Sequence, residues 1–270
     1  MEKSSFLGKN ILTKLGFTFP NGSSEEIPTT EQKSADYLAV YGEDTFLIEV
    51  KLKEPDEKES AKRSESLNNG EVYSCIYEIK TALDNIIRKA NQQLRESSRN
   101  FECRFRVVLL IIDTYAGDLY EKQLIDLLYG RVSLIKLETQ QEISCYGYER
   151  ANFQRRSDID MVVVSDVSGN YYKGYINIYS GKYNDLKESS FFISLKSKYY
   201  DPHDYITNNQ ALVLNNEDWD IIGEISSHDK KVEEIMPCYS KKLQRIEDKY
   251  GFKCCVFKPK PIQHTIQTAF

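Results

Sequence analysis

Asp36, Glu49 and Lys51 have residue types and spacing that could support chemistry at a phosphodiester. Two converging carboxylates can hold a divalent cation, Mg²⁺ or Mn²⁺, and leave coordination positions for water and phosphate. The cation would polarise a phosphoryl oxygen and acidify a bound water. A neighbouring lysine can orient that water or offset charge developing at phosphorus. It also reduces the repulsion between the two carboxylates.

The spacing Glu-x-Lys carries little information by itself, because it recurs at Glu78/Lys80 and Glu247/Lys249. Asp-x-Lys also occurs, at Asp56/Lys58, Asp185/Lys187 and Asp229/Lys231. Local structure separates these pairs. Residues two apart share a face on a strand, but on a helix they diverge by about 200°, since each residue turns about 100°. Glu78/Lys80 and Glu247/Lys249 fall in helical patterns, and the aspartate pairs fall in polar, loop-like sequence. Around Glu49 the alternation has period two. Phe46, Ile48, Val50 and Leu52 form one face, and Leu47, Glu49, Lys51 and Lys53 the other. Ala35–Tyr41 and Thr45–Lys53 read as a hairpin about Gly42-Glu43-Asp44. In a hairpin the start of the first strand lies near the end of the second. Asp36 therefore comes close to Glu49 and Lys51.

The fragments Ser34-Ala35-Asp36 and Phe46-Leu47-Ile48-Glu49-Val50-Lys51 resemble the signature of the PD-(D/E)xK nucleases, over about residues 1–137. That superfamily includes restriction endonucleases, Holliday-junction resolvases and many defence enzymes. The resemblance implies a mixed sheet flanked by helices, in the order α-β-β-β-α-β. It implies a Mg²⁺- or Mn²⁺-dependent endonuclease in which Asp36 and Glu49 bind the metal and Lys51 assists the attacking water. A polar residue on the helix after the motif is common there, and Gln93 or Gln92 would fill that role. A glutamate from the first helix is often added. Glu2 is the nearest by position, with Glu25, Glu26 and Glu31 in the following loop. Ala35 stands where the family usually has proline, and the charged insertion after Lys51 is longer than the simplest pattern.

The elements needed to position these residues are legible in outline. Phe6, Ile11, Leu12 and Leu15 recur at helical spacing ahead of Gly16. Residues Glu54–Asn69 read as a polar, mobile insertion, and Val72–Ser98 as one long helix with a stripe through Ile76, Ile79, Leu83 and Ile87. Phe105–Asp113 is predicted as a buried strand, Leu119–Tyr129 as a helix and Val132–Leu137 as a strand. The first half thus reads α-β-β-α-β-α-β, an α/β (α+β) layered core, and the resemblance implies that this core is restriction-endonuclease-like. Residues 138–270 are predicted to be a β-rich accessory region. It holds a second hairpin (Ile159–Ser165 and Tyr171–Tyr179), a strand at Phe191–Leu195, a loop at Asp201–Asn216 and a helix at Lys230–Tyr250.

The chain has 270 residues and a net charge of −5, so nucleic-acid binding must rest on local basic patches. Lys80, Arg88 and Arg95 on the long helix are the candidates. A composition of 40% hydrophobic and 29% charged residues suits a soluble globular protein with a sizeable core. Cys75, Cys103, Cys145, Cys238, Cys254 and Cys255 show no zinc spacing, and His203, His228 and His264 none either. With no opening signal sequence and no apolar run beyond Val107–Ile112, a cytoplasmic protein with free thiols is expected, and no membrane partner. The expected partners are nucleic acid, DNA ahead of RNA, and a second copy in a homodimer.

Two other readings compete. One is a nuclease-like fold that binds nucleic acid or protein without cutting. The other is a nucleotidyltransferase, for which Asp158 and Asp160 would share a strand face and hold two metals. The upstream Gly-Ser turn of that chemistry is missing, since Gly147-Tyr148 occupies its place.

Overall fold

The computed structural model describes residues 3–20, 35–77, 82–113, 117–149, 151–222, 240–257 and 262–266. The hairpin forms as expected. Strand β1 (Tyr37–Tyr41) pairs antiparallel with β2 (Asp44–Lys53), Tyr37 opposite Ile48 and Tyr41 opposite Asp44. Gly42 takes the turn with φ 61°, a left-handed conformation that suits a residue without Cβ. Strand β3 (Tyr73–Tyr77) lies apart from this sheet. Strand β4 (Phe105–Ile112) runs parallel to β2, with Glu49 beside Val108 and Lys51 beside Leu110.

Strands β5 (Val132–Lys136) and β6 (Glu142–Tyr146) belong elsewhere. The sheet continues through β7 (Met161–Asp166), parallel to β4, and β8 (Tyr172–Ile176), antiparallel to β7. It closes with the two-residue β9 (Tyr199–Tyr200). The order β1-β2-β4-β7-β8-β9 is a mixed six-stranded sheet, which with its flanking helices is the mixed α/β class anticipated. Central strands buried on both faces need apolar residues throughout; Val107–Ile112 is the clearest case.

Helix α1 (Lys3–Leu15) lays Ile11 and Leu12 into one core with Phe46, Ile48, Val50, Phe105, Val107 and Met161. Full burial of each such side chain contributes about 1.5–3 kcal/mol. A single antiparallel bridge joins Thr18, just after α1, to Val40 of β1. Helix α2 (Glu57–Asn68) follows β2. Helix α3 (Ala82–Ser97) packs against β2 and β4 and buries Leu83, Ile87, Ala90 and Leu94 at helical spacing.

Several expectations are corrected. The polar insertion contains α2, which starts where Asp56 Oδ1 accepts the Lys58 N–H at 3.0 Å, a capping contact that the composition hides. The single helix expected over Val72–Ser98 is β3 followed by α3. Tyr73–Tyr77 is rich in aromatic and branched residues and finds a distant antiparallel partner, β12 (Ile262–Ile266), so tertiary pairing overrides the local helical period. The strand expected at Phe191–Leu195 is a short helix (Ser190–Ser194) capped by Ser189, whose hydroxyl accepts the Phe192 N–H at 3.2 Å. The loop expected at Asp201–Asn216 holds a helix (Pro202–Thr207) and β10 (Ala211–Val213). Of the helix expected at Lys230–Tyr250, Lys241–Tyr250 is observed; residues 223–239 lie outside the described ones.

The chain divides into two compact units. The first takes the chain as far as Glu121, then Arg156–Asp201 and β12; the second takes Lys122–Arg155 and the chain from Pro202 to β11 (Cys254–Phe257). A single division at 137/138 does not describe this arrangement. The buried strand β4 needs ladder partners on both edges, and the second partner, β7, lies beyond that point. The second unit has its own four-stranded sheet, β10-β6-β5-β11, over a core that includes Leu134, Ile143, Leu212 and Ile246. Among the described residues, no helix is long and apolar enough to cross a membrane.

Candidate active site

Asp36 stands at a bend just before β1, one position beyond the Tyr37–Ile48 pair. The Val50 N–H therefore meets a side chain instead of a strand, donating to Asp36 Oδ2 at 2.7 Å. The Ser5 hydroxyl of α1 reaches Asp36 Oδ1 at 3.4 Å, and the Ser5 carbonyl accepts from the Tyr37 hydroxyl at 2.7 Å. Helix α1 can come this close because Gly8 has no side chain. A Cβ there would stand 2.7 and 2.8 Å from the two methyl carbons of Val50.

Glu49 lies on the β2 face opposite the Val50 core and is 1% exposed. Its Oε1 accepts from the Lys51 ammonium, which also donates to Gln93 Oε1 at 2.7 Å. Glu49 Oε2 is buried and accepts no hydrogen bond among the described residues. Burial pushes the Glu49 carboxyl up to about 8; the negative charge of Asp36 adds to this, and Lys51 opposes it.

Between the two glutamines on α3, geometry decides for Gln93. Gln92 is exposed and donates to Glu96 at 2.9 Å. Asp36, Glu49, Lys51 and Gln93 are thus gathered on one side of the sheet by the hairpin and α3. Sequence reasoning missed two buried serines beside them, Ser5 and Ser97. Ser97 Oγ accepts the Ala35 N–H at 2.6 Å. Its signal was its place one helical turn after Gln93, which puts both on one face.

The proposed basic patch is distributed differently. Arg88 and Arg95 are exposed, but helical geometry sets them about 140° and 160° around α3 from Gln93. Lys89 is exposed and only about 40° away. Lys80 lies outside the described residues, as do Glu2, Glu25, Glu26 and Glu31.

Asp158 and Asp160 do not form a paired strand face. Both precede β7, and Asp158 sits in a turn and pairs with Arg106 at 2.8 Å. Asp160 is fully buried. Its Oδ2 accepts the Arg106 N–H at 2.7 Å and its Oδ1 the Ser180 hydroxyl at 2.5 Å. Both oxygens are occupied by protein donors, an arrangement suited to joining β4 to the turn after β8.

Among the described residues, no cluster of three or more His, Cys, Asp or Glu side chains is placed to hold a metal. The first unit is thus a mixed α/β fold in which a buried acid and a half-buried lysine on one strand meet a glutamine of α3. No protein-family model matches this chain, and no curated protein or solved structure compared with it does so either.

Proposed function

We propose that the chain is a metal-dependent nuclease of the PD-(D/E)xK type, acting on DNA ahead of RNA. The observation that carries this reading is the convergence of Asp36, Glu49, Lys51 and Gln93, with one Glu49 oxygen buried and unbonded among the described residues. Element order supports it. Helix α1, the Thr18–Val40 bridge, β1, β2, α3 and β4 follow the order α-β-β-β-α-β, with the bridge where the first strand would stand and α2–β3 inserted.

The residues fit a divalent cation. Asp36 and Glu49 supply hard oxygen donors, and Mg²⁺ commonly takes one or two carboxylates and completes its shell with water and phosphate. Glu49 Oε2 gives such an ion a buried oxygen that accepts no hydrogen bond among the described residues. When bound, the cation would acidify water and polarise the phosphoryl oxygen. The chain's own groups do the rest. The Val50 N–H orients Asp36, and Lys51 offsets the charge of Glu49. Gln93 accepts one of three ammonium N–H donors and Glu49 a second, leaving the third to face a water or phosphate oxygen.

The reading is tested by incubating single- and double-stranded DNA and RNA with the protein and Mg²⁺ or Mn²⁺, beside Glu49→Ala and Lys51→Ala. Metal-dependent cleavage by the wild type and loss of it in both folded variants is expected. Binding without cleavage by the wild type would move the reading to a nucleic-acid-binding module. Cleavage that survives Glu49→Ala would remove the site.

A further inference from the structure

Helix α3 touches this site at a second point, which the roles of the four residues above leave unused. Ala35 stands immediately before Asp36 and is 1% exposed; Ser97 is 2% exposed. Because β1 begins at Tyr37, the Ala35 N–H has no place in the β1–β2 ladder, and it donates to Ser97 Oγ at 2.6 Å. A buried amide needs such an acceptor. Four residues earlier on the same helical face, Gln93 accepts from Lys51 at 2.7 Å. One rigid helix therefore grips the strand that carries the lysine and the backbone that carries the acid. Val50 and Ser5 hold the Asp36 carboxylate itself, while Ser97 holds the main chain one residue upstream.

We propose that Ser97 is a positioning residue of the metal site: through the Ala35 N–H it sets where the Asp36 carboxylate stands relative to Glu49, and so sets cation affinity. The inference rests on the metal-site reading above. Groups that orient a ligand from behind typically change metal affinity about 10- to 100-fold when removed.

The test is a Mn²⁺ titration of the metal-free full chain, followed by the electron paramagnetic resonance signal of free Mn²⁺, with each variant's melting temperature measured alongside. Ser97→Ala should bind Mn²⁺ roughly tenfold more weakly. Ser97→Thr, which keeps the hydroxyl, should return binding close to wild type. Ser189→Ala is the control: this serine is equally buried but caps a helix of the opposite core. It should lower the melting temperature and leave Mn²⁺ affinity unchanged. Unchanged affinity in Ser97→Ala, or an equal loss in Ser189→Ala, overturns the role of Ser97 alone. A folded wild type that binds no Mn²⁺ overturns the metal-site reading and this inference together. Should Ser97→Ala fail to fold, amide exchange in the wild type decides. Slow exchange at Ala35 that slows further with Mn²⁺ is expected, and exchange there indifferent to Mn²⁺ sinks the proposal.

Discussion

Lys51 and Gln93 meet at 2.7 Å although forty-two residues separate them in the chain. The Gln93 oxygen fixes an ammonium that could otherwise sample many rotamers, and it aims that ammonium at Glu49. Removing the acceptor should misplace the lysine without unfolding α3, because Gln93 is not part of the helix's buried stripe. On the proposed nuclease reading, Gln93→Ala is expected to lower the single-turnover rate constant by up to about 10²-fold with the melting temperature little changed. Single-turnover cleavage at saturating Mg²⁺ checks this, and a wild-type rate would remove Gln93 from the machinery.

The Glu49 carboxyl, raised from an ordinary 4.5 to about 8, links stability to pH. The folded protein holds this proton more tightly than the unfolded chain does. Its contribution is therefore complete below about pH 4.5 and is lost as pH rises toward 8, at up to about 1.4 kcal/mol per unit. Glu49→Gln should abolish that loss. Denaturant unfolding of both metal-free proteins at several pH values should show the variant gaining on the wild type between pH 5 and 8. Parallel curves would contradict the burial argument. On the proposed metal-site reading a cation must displace the same proton, so wild-type Mn²⁺ affinity should rise across that window.

Charge placement on α3 makes a separate prediction. Lys89 shares the side of the helix that carries Gln93, whereas Arg88 and Arg95 lie far around it. In a salt titration of nucleic-acid binding, Lys89→Ala should weaken affinity and lower the slope by about 0.7–0.9. Arg88→Ala and Arg95→Ala should change both much less. The reverse ranking would mean that nucleic acid approaches from the other flank of α3.

Asp160 should behave as a structural acid. Asp160→Ala leaves the Arg106 N–H and the Ser180 hydroxyl without their acceptor, which costs about 1–3 kcal/mol in a buried setting. Thermal unfolding should show that loss, while the folded fraction keeps whatever metal-dependent cleavage the wild type shows, as the proposed nuclease reading requires. A variant of unchanged stability that had lost all phosphoryl chemistry would instead favour nucleotidyl transfer.

How far the site was legible depends on how local its determinants are. The hairpin was readable because the alternation of Phe46, Ile48, Val50 and Leu52 and the turn at Gly42 act within a few residues. Ser5 and Ser97 were not: helical spacing could place Ser97 on the face of Gln93, but a serine in a helix looks alike whether its hydroxyl meets solvent or a buried amide. The insertion was misread for a related reason: α2 has almost no apolar stripe, so its capping contact at Asp56 had nothing periodic to reinforce.

From the sequence alone followed the strand, its two faces, and the placing of Glu49 and Lys51 on the face away from the apolar core, since side chains alternate along any extended chain. The closeness of Asp36 followed too, from a turn of known geometry. Tertiary structure alone decided that Gln93 and not Gln92 meets Lys51, that Tyr73–Tyr77 is a strand and not a turn of helix, and that β7 and β8 join the sheet of β1, β2 and β4. Each of these depends on a partner tens to hundreds of residues away. Local propensities differ by only about 1 kcal/mol, so pairing and burial contributed by such partners outweigh them.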